Sequence, residues 1–387
     1  MAARLLHIVD ESTSEDLLAH LSLLLNQLPH SRFAQSVLTI GQPAPVLRLP
    51  PGVPILQVQR ASMMPGFQAM RILQVLQRRS FELVLMWDVL QRVPIGGDGS
   101  GPPCLAILSD TPGIANLAHW RVVTREHAPQ SHFVCLSDLT RQRLMRSGIP
   151  GDRVQLIRAS VDLAKVRQAD RKRLRAELDL PADATVLLTA CPPGGKAGQY
   201  VAAWAAAILH QIRPGVRMIL PGGFREDRRA RRLSEECYCP QVFRLAGEQY
   251  GPADLLAASD MLVWPAEENC PTGWLAWAMA AGVPIVATGS PSVRELIRDG
   301  QTGFLVDSAR PHALATRIRM AWEDAEARRR CVQEAGHQAY EMFRPQKCLD
   351  AYLEAFTRLL NGRVPAPQGP GCRACPVALP CGHNVVE

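Results

Sequence analysis

A chain of 387 residues is too long for one ordinary hydrophobic core, and 47% hydrophobic with 20% charged residues excludes a wholly disordered protein. The formal charge is +7, yet aromatic residues make up only 5% of the chain, and none lies in the basic runs at 167–175 and 225–232. This argues against a platform that stacks single-stranded nucleic acid, and leaves solvated helix faces or a surface for anionic lipid or phosphate to explain the basic runs.

The first half of the chain alternates short apolar strands with helices. Residues 4–9 are predicted as a strand, a capping box at Ser12 and Glu15 opens a leucine-rich helix, and residues 34–40 form the next strand. Four more strands are predicted at Leu83–Trp87, Cys104–Leu108, His132–Leu136 and Val154–Ile157. This order predicts a parallel sheet that is covered by helices.

The second half repeats this order after a charged connector helix predicted at 163–178. Its strands are predicted at Thr185–Thr189, Arg217–Leu220, Val242–Leu245, Met261–Val263 and Pro284–Ala287. The predicted fold class is therefore α/β, with two Rossmann-like parallel-sheet domains. We place the first domain at 1–165, the second at 166–345, a C-terminal helix at 346–361 and a Pro/Cys-rich tail at 362–387.

A glycine-rich turn follows the first strand of the second half. The turn Gly194-Gly195-Lys196 precedes a predicted helix, where glycines let backbone N–H groups approach a diphosphate and the lysine can neutralise its charge. The spacing differs from a P-loop, because Ala197 rather than Ser or Thr follows the lysine. A plain helix start is the alternative. Gly222-Gly223, after a later strand, is either a second close approach of the backbone or a turn.

Three segments of the chain carry a family resemblance. Residues 134–162 run from a strand through a helix and Gly148-Ile149-Pro150 to another strand. Residues 242–260 contain a strand that ends at Gly247 and then an apolar helix pattern that ends at Asp260. Residues 282–306 contain Gly282-Val283-Pro284, then Glu295-Leu296-Ile297 and Thr302-Gly303-Phe304. Together these segments resemble the retaining GT-B glycosyltransferases of family 4, most strongly over residues 130–345.

This resemblance implies the GT-B architecture, in which two Rossmann-like domains face each other across a cleft. It implies a glycosyltransferase that moves a sugar from a nucleotide-diphosphate-sugar donor in the second domain to an acceptor in the first, with retention. Lys196 and Glu268 are the implied catalytic residues. The implied donor-binding residues are Gly194, Gly195, Lys196, Gly222, Gly223, Thr272, Gly273 and Glu295. No cofactor or metal is required, and the acceptor is a glycan, a lipid or a small molecule.

The sequence departs from the family at several donor positions. The family's two glutamates, which contact the donor sugar and the ribose, fall here on Asn269 and Trp277, and a shift of one residue places Glu268 in the first role. The arginine that the family has near its phosphate lysine is Cys191 here. Trp277 is expected to pack in the core, with stacking on a base or sugar as the alternative. These departures leave open a second function, a catalytically degenerate glycosyltransferase fold that serves as a binding or scaffold protein.

Eleven cysteines are scattered through the chain. The tail spacing Cys372-x2-Cys375-x5-Cys381-x-His383 offers candidate ligands for zinc or an iron–sulfur cluster, with loose thiols as the alternative. No signal-peptide pattern follows Met1 and no run of about 18 apolar residues occurs, so we expect reduced thiols and a cytoplasmic chain. Peripheral contact with the inner face of the membrane and the oligomeric state stay open, and no nucleic acid partner is expected.

Overall fold

The computed structural model describes residues 2–11, 13–41, 49–58, 72, 74–76, 80–88, 102–109, 131–191, 198–221, 239–247, 249–266 and 271–360. The strands of the first half are β1 (Ala3–Asp10), β2 (Phe33–Ile40), β3 (Ile55–Val58), β4 (Leu83–Trp87), β5 (Cys104–Leu108), β6 (Ser131–Cys135) and β7 (Val154–Leu156). They form one parallel sheet in the order β3-β2-β1-β4-β5-β6-β7.

The second half forms a separate parallel sheet. Its strands are β8 (Thr185–Leu188), β9 (Val216–Pro221), β10 (Phe243–Ala246), β11 (Met261–Trp264), β12 (Ile285–Thr288) and β13 (Phe304–Val306). Their order is β10-β9-β8-β11-β12-β13. Central strands such as β4 and β11 are buried along their whole length, as expected of parallel sheets covered on both faces. The predicted α/β class with two parallel-sheet domains is confirmed.

Helices cover the faces of both sheets. They are α1 (Glu15–Gln27), α2 (Asp138–Arg146), α3 (Leu163–Gln168), α4 (Arg171–Glu177), α5 (Gln199–Ile212), α6 (Pro252–Ala258), α7 (Gly273–Ala281), α8 (Pro291–Arg294), α9 (Pro311–Glu323), α10 (Ala325–Met342) and α11 (Pro345–Leu360), with 3-10 turns at Gly151–Arg153 and Pro240–Val242. Residues of α5 and α9 fill the core on one face of the second sheet, and α6, α7 and α10 fill the other. No helix that the structure describes is long and apolar enough to cross a membrane.

Two local expectations differ from the structure. The connector predicted as one helix is two, because Asp170 caps a second helix and accepts hydrogen bonds from the N–H groups of Lys172 and Arg173. The helix predicted from a capping box at Ser12 begins at Glu15 instead, with Ser14 as its N-cap residue. Ser12 itself lies outside the described residues. Neither difference changes the sheet topology.

The last helix, α11, returns to the first domain. Tyr352 and Phe356 are fully buried in the same core cluster as α1 and the first sheet. The Tyr352 hydroxyl lies 3.1 Å from Nδ1 of His20 on α1, and its ring lies 6.4 Å from that of Trp87 on β4. The C-terminal helix α11, which follows the second domain in the chain, therefore packs against the first domain.

Candidate functional site

Each sheet reverses its strand order once, beside its first strand. β1 lies between β2 and β4 in the first sheet, and β8 lies between β9 and β11 in the second. Open parallel sheets bind ligands outside the carboxyl ends of their strands at such a switch point. The segment after β1 leads to α1, and the segment after β11 leads to α7. The fold therefore places a candidate ligand-binding site at these two segments.

The two switch points meet in a narrow pocket between the domains. From the first domain, Asp16, Arg158 and Ala159 line this pocket; from the second, Pro271–Gly273 and Leu296 do so. Thr272 and Gly273, both predicted as donor-binding residues, thus lie at the junction of the domains. Their donor role stays a prediction.

The start of α7 is capped by the opposite domain. Asp16 Oδ2 accepts a hydrogen bond from the backbone N–H of Gly273 at 3.1 Å. Thr272, the N-cap residue of α7, makes no side-chain cap of its own. Gly273 permits the contact, because a Cβ at this position would collide with the Asp16 carboxylate. A helix N-terminus at the cleft, suited to an anion, therefore holds a carboxylate of the chain itself.

Glu295 makes a second contact between the domains. It follows β12 and α8, and its two carboxylate oxygens accept hydrogen bonds from the N–H groups of Asp138 (2.9 Å) and Leu139 (2.7 Å) at the start of α2. Arg158 also donates to Oε2 of Glu295 at 3.0 Å. The sequence placed Glu295 at the carboxyl edge of the second sheet, as found. Its contact with a donor stays a prediction, and in this structure its carboxylate is bound by the first domain.

Three buried polar atoms near the carboxyl ends of the second sheet have no hydrogen-bond partner in the described structure. They are Oγ1 of Thr189 after β8, Nε1 of Trp264 at the end of β11, and Oγ1 of Thr288 at the end of β12. Burying a polar group without a partner costs about 1–3 kcal/mol. An edge that bears three such groups is suited to a polar ligand, and the sequence patterns did not indicate any of the three.

Most of the predicted phosphate and catalytic residues lie outside the described residues. These are Gly194, Gly195, Lys196, Gly222, Gly223 and Glu268, together with the tail ligands Cys372, Cys375, Cys381 and His383. The described segments that flank them place the Lys196 turn between β8 and α5, and Glu268 between β11 and α7. Among the described residues, no group of three or more His, Cys, Asp or Glu side chains is arranged to hold a metal.

Trp277 stands where the resemblance places a donor-contacting glutamate. It is half-buried on α7 and packs, with Trp274, against the core cluster that also contains residues of β11 and α6. This agrees with the predicted core role. A glutamate at position 277, as in the family, would not make this apolar contact with the core.

A wide groove lies at the opposite end of the second sheet. It has a volume of about 690 Å³ and is lined in part by Arg171, Arg175 and Arg328 near the amino ends of β8 and β11. Arg175 is bound by Asp260 at 2.8 Å and by backbone carbonyls, and Arg328 donates to the carbonyls of Ala321 and Trp322. We place the candidate site at the junction of the domains rather than in this groove, because Arg175 and Arg328 serve the fold and the groove lies at the amino ends of its strands. The interdomain pocket between the described residues has a volume of about 10 Å³, which is room for one water molecule and not for a nucleotide sugar, so it marks the junction only.

Sequence comparison matches the second domain to a known family. Residues 170–338 match the family described as glycosyl transferases group 1. That segment is similar to glycosyl transferases group 1. It includes β8 to β13 and the pocket residues Pro271–Gly273, Ala276 and Leu296.

Three curated relatives match parts of the chain. The lipopolysaccharide core biosynthesis glycosyltransferase LpsE of Rhizobium meliloti is 28% identical over 180 residues, which are 46% of this chain and 52% of that protein. The N-acetyl-alpha-D-glucosaminyl L-malate synthase of Bacillus anthracis is 30% identical over 30% of this chain and 32% of its own. The D-inositol 3-phosphate glycosyltransferase of Streptomyces scabiei is 31% identical over 42% and 40%. The chain thus spans about half or less of the length of these relatives.

Solved structures match almost the whole chain. Anabaena HepE, solved with UDP and glucose, has a TM-score of 0.77 at 17% identity and covers 91% of this chain and 99% of its own. WaaG, a glycosyltransferase involved in lipopolysaccharide biosynthesis, has a TM-score of 0.71 at 14% identity, with 90% and 99% covered. Identity this low shows a shared fold alone. The GT-B fold expected from the sequence is confirmed.

Proposed function

We propose that this chain is a glycosyltransferase that moves a sugar from a nucleotide-diphosphate-sugar donor to an acceptor, with retention, as in family 4. The observation that carries the proposal is the meeting of two switch points in one interdomain pocket, with the first turn of α7 at its wall. The group 1 match over residues 170–338 and the UDP-bound structural neighbours support a donor in the second domain.

The proposed chemistry is electrostatic. Lys196 and the N–H groups of its turn would hold the diphosphate, so that negative charge developing on the leaving group is neutralised. Glu268 would contact the donor sugar, and the first domain would bind a glycan, a lipid or a small molecule. Closure of the domains would exclude water and limit hydrolysis of the donor. In this scheme neither a metal nor a cofactor is required.

The test begins with nucleotide binding. Titration calorimetry with UDP, GDP and ADP should give binding to one of them, and Lys196→Ala should weaken it by tenfold or more, since a charged contact contributes about 1.5–3 kcal/mol. Lys172→Ala, at an exposed position on α4, is the matched control and should bind like the wild type. A panel of nucleotide sugars then identifies the donor by hydrolysis or transfer. Absence of binding by all three nucleotides would refute the proposal.

A second candidate is a catalytically degenerate GT-B protein that binds or scaffolds. Three observations favour this candidate. Trp277 packs against the core where the family has a glutamate, Cys191 replaces the family's arginine, and the Asp16 carboxylate lies at Gly273. This protein would bind nucleotide but neither hydrolyse nor transfer any donor. Nucleotide binding with no turnover across the sugar panel would therefore select the second candidate over the first.

A further inference from the structure

The first turn of α2 is capped from both domains. Ser137, its N-cap residue, accepts a hydrogen bond from the N–H of Thr140 at 3.1 Å. The N–H groups of Asp138 and Leu139 donate to Glu295 instead, which belongs to the second domain. A carboxylate at a helix N-terminus is stabilised both by these hydrogen bonds and by the helix dipole. Two donors of α2 are thus satisfied only when the domains are together.

The same carboxylate also holds Arg158, which lines the interdomain pocket. The side chains of Arg158 and Glu295 are only 18% and 15% exposed. Solvent screens such a pair much less than an ion pair on the surface, and removing one partner leaves a poorly solvated charge. Glu295 therefore couples three groups of the first domain to the end of α8 in the second domain.

We propose that Glu295 is a positioning residue that fixes α2 and Arg158 against the second domain and so sets the geometry of the closed cleft. The proposal rests on the proposed function, because the geometry of the cleft affects catalysis only if a donor binds there. It assigns Glu295 to the domain contact rather than to the donor, since the three groups bound to its carboxylate come from the protein. Asp16 at Gly273 is the reciprocal contact, a first-domain carboxylate on a second-domain helix.

The first arm of the test needs no ligand. Hydrogen exchange of the full chain, read by mass spectrometry with fragmentation, reports the amides at 138, 139 and 140 separately. In Glu295→Gln, exchange at Asp138 and Leu139 should be at least tenfold faster, while Thr140, which Ser137 caps, should change much less. Glu323→Gln is the matched control, since that glutamate forms an exposed pair with Arg319 within α9. Unchanged exchange at 138 and 139 overturns the proposal.

The second arm separates positioning from donor binding. With the nucleotide found by calorimetry, Glu295→Gln should keep Kd within about twofold but lower kcat by about tenfold, because small misplacements far from the chemistry reduce turnover. Glu295→Asp, which keeps the charge on a shorter side chain, should recover part of kcat. A tenfold or greater rise in Kd without a loss of kcat would make Glu295 a donor ligand and overturn the proposal.

The two arms also distinguish the failure of this inference from failure of the proposed function. If the wild type binds no nucleotide, the transferase proposal fails while the exchange arm still tests the domain contact. If Glu295→Gln does not fold, Glu295→Asp in the exchange arm replaces it. Normal exchange at 138 and 139 in a folded Glu295→Asp protein with wild-type kcat would then count against the proposal.

Discussion

Asp16 and Gly273 meet across the boundary between the domains. The carboxylate of Asp16 lies 3.1 Å from the backbone nitrogen that begins α7, at a position where any side chain on residue 273 would collide with it. The N–H groups at the start of a helix attract phosphate for the same physical reason that they attract Asp16. In this structure the two domains are therefore joined through a helix N-terminus that is also suited to an anionic ligand.

We predict that Asp16→Ala raises the affinity for the nucleoside diphosphate. Removing a carboxylate from the first turn of α7 frees its N–H groups and removes a charge that repels the ligand. Charges near a helix N-terminus contribute about 0.3–2 kcal/mol, so Kd should fall by about two- to thirtyfold. Titration calorimetry measures this change. Asp307→Ala, at a fully exposed carboxylate of the second domain, should leave Kd unchanged. A rise in Kd on Asp16→Ala would mean that Asp16 orders the site.

We also predict that Gly273→Ala weakens the contact between Asp16 and residue 273 without lowering the stability of the protein. The new Cβ would displace the end of the flexible Asp16 side chain, and alanine is the better helix former by about 1 kcal/mol. The midpoint of urea unfolding should therefore change little or rise, while the amide of residue 273 should exchange faster. Gly303→Ala is a useful contrast, because a Cβ there would meet Ile297 and the backbone carbonyl of Ile285 and should lower stability. A large loss of stability in Gly273→Ala would contradict this prediction.

Much of the fold was predictable because its strands are short, apolar and bounded by turns. The strands missed were β3 and β13, for physical reasons. β3 is an edge strand in which Ile55 is largely exposed, so its pattern lacks a buried face. β13 is only three residues long, and Phe304–Val306 is recognisable in the sequence only as part of the family-like segment 282–306. Short edge elements take their structure from the neighbour with which they pair.

The candidate site was less predictable than the fold. Glu295 was placed at the correct edge from strand order, but its partners Asp138 and Leu139 lie more than 150 residues away in sequence. No motif marks Asp16, because its partner is the backbone N–H of Gly273 rather than a characteristic side chain. Contacts between domains depend on how the domains are oriented, and a single sequence read by itself carries no signal for that orientation.

A third prediction concerns the attachment of α11 to the first domain. Phe356 is fully buried and contacts the rings of Phe33 and Tyr352 at centroid distances of 5.9 Å. Phe356→Ala should lower the free energy of unfolding by about 3–5 kcal/mol, through lost burial and a cavity. Urea unfolding measures this loss. Tyr340→Ala removes an exposed ring of α10 and should cost much less. Equal effects of the two substitutions would show that α11 contributes little to the folded first domain.

The last prediction is a pH dependence of stability that arises in the first domain. Burial lowers the pKa of both His7 and His20 to about 4, against 6.5 in the unfolded chain. Nδ1 of His7 accepts a hydrogen bond from the indole N–H of Trp87, which favours the neutral ring. Between pH 6.5 and about 4 the unfolded chain therefore binds protons that the folded chain does not.

The free energy of unfolding should thus fall as the pH is lowered from about 6.5 to about 4, and these two histidines should contribute no further loss below that. The expected loss is about 3 kcal/mol for each of these two histidines. Urea unfolding at a series of pH values measures the total loss, and His20→Gln should reduce it by about 3 kcal/mol, whereas His312→Gln, at an exposed position of α9, should leave it unchanged. A slope unchanged by His20→Gln would mean that His20 is protonated in the folded state, and that its contact with Tyr352 joins α11 to α1 through a charged ring.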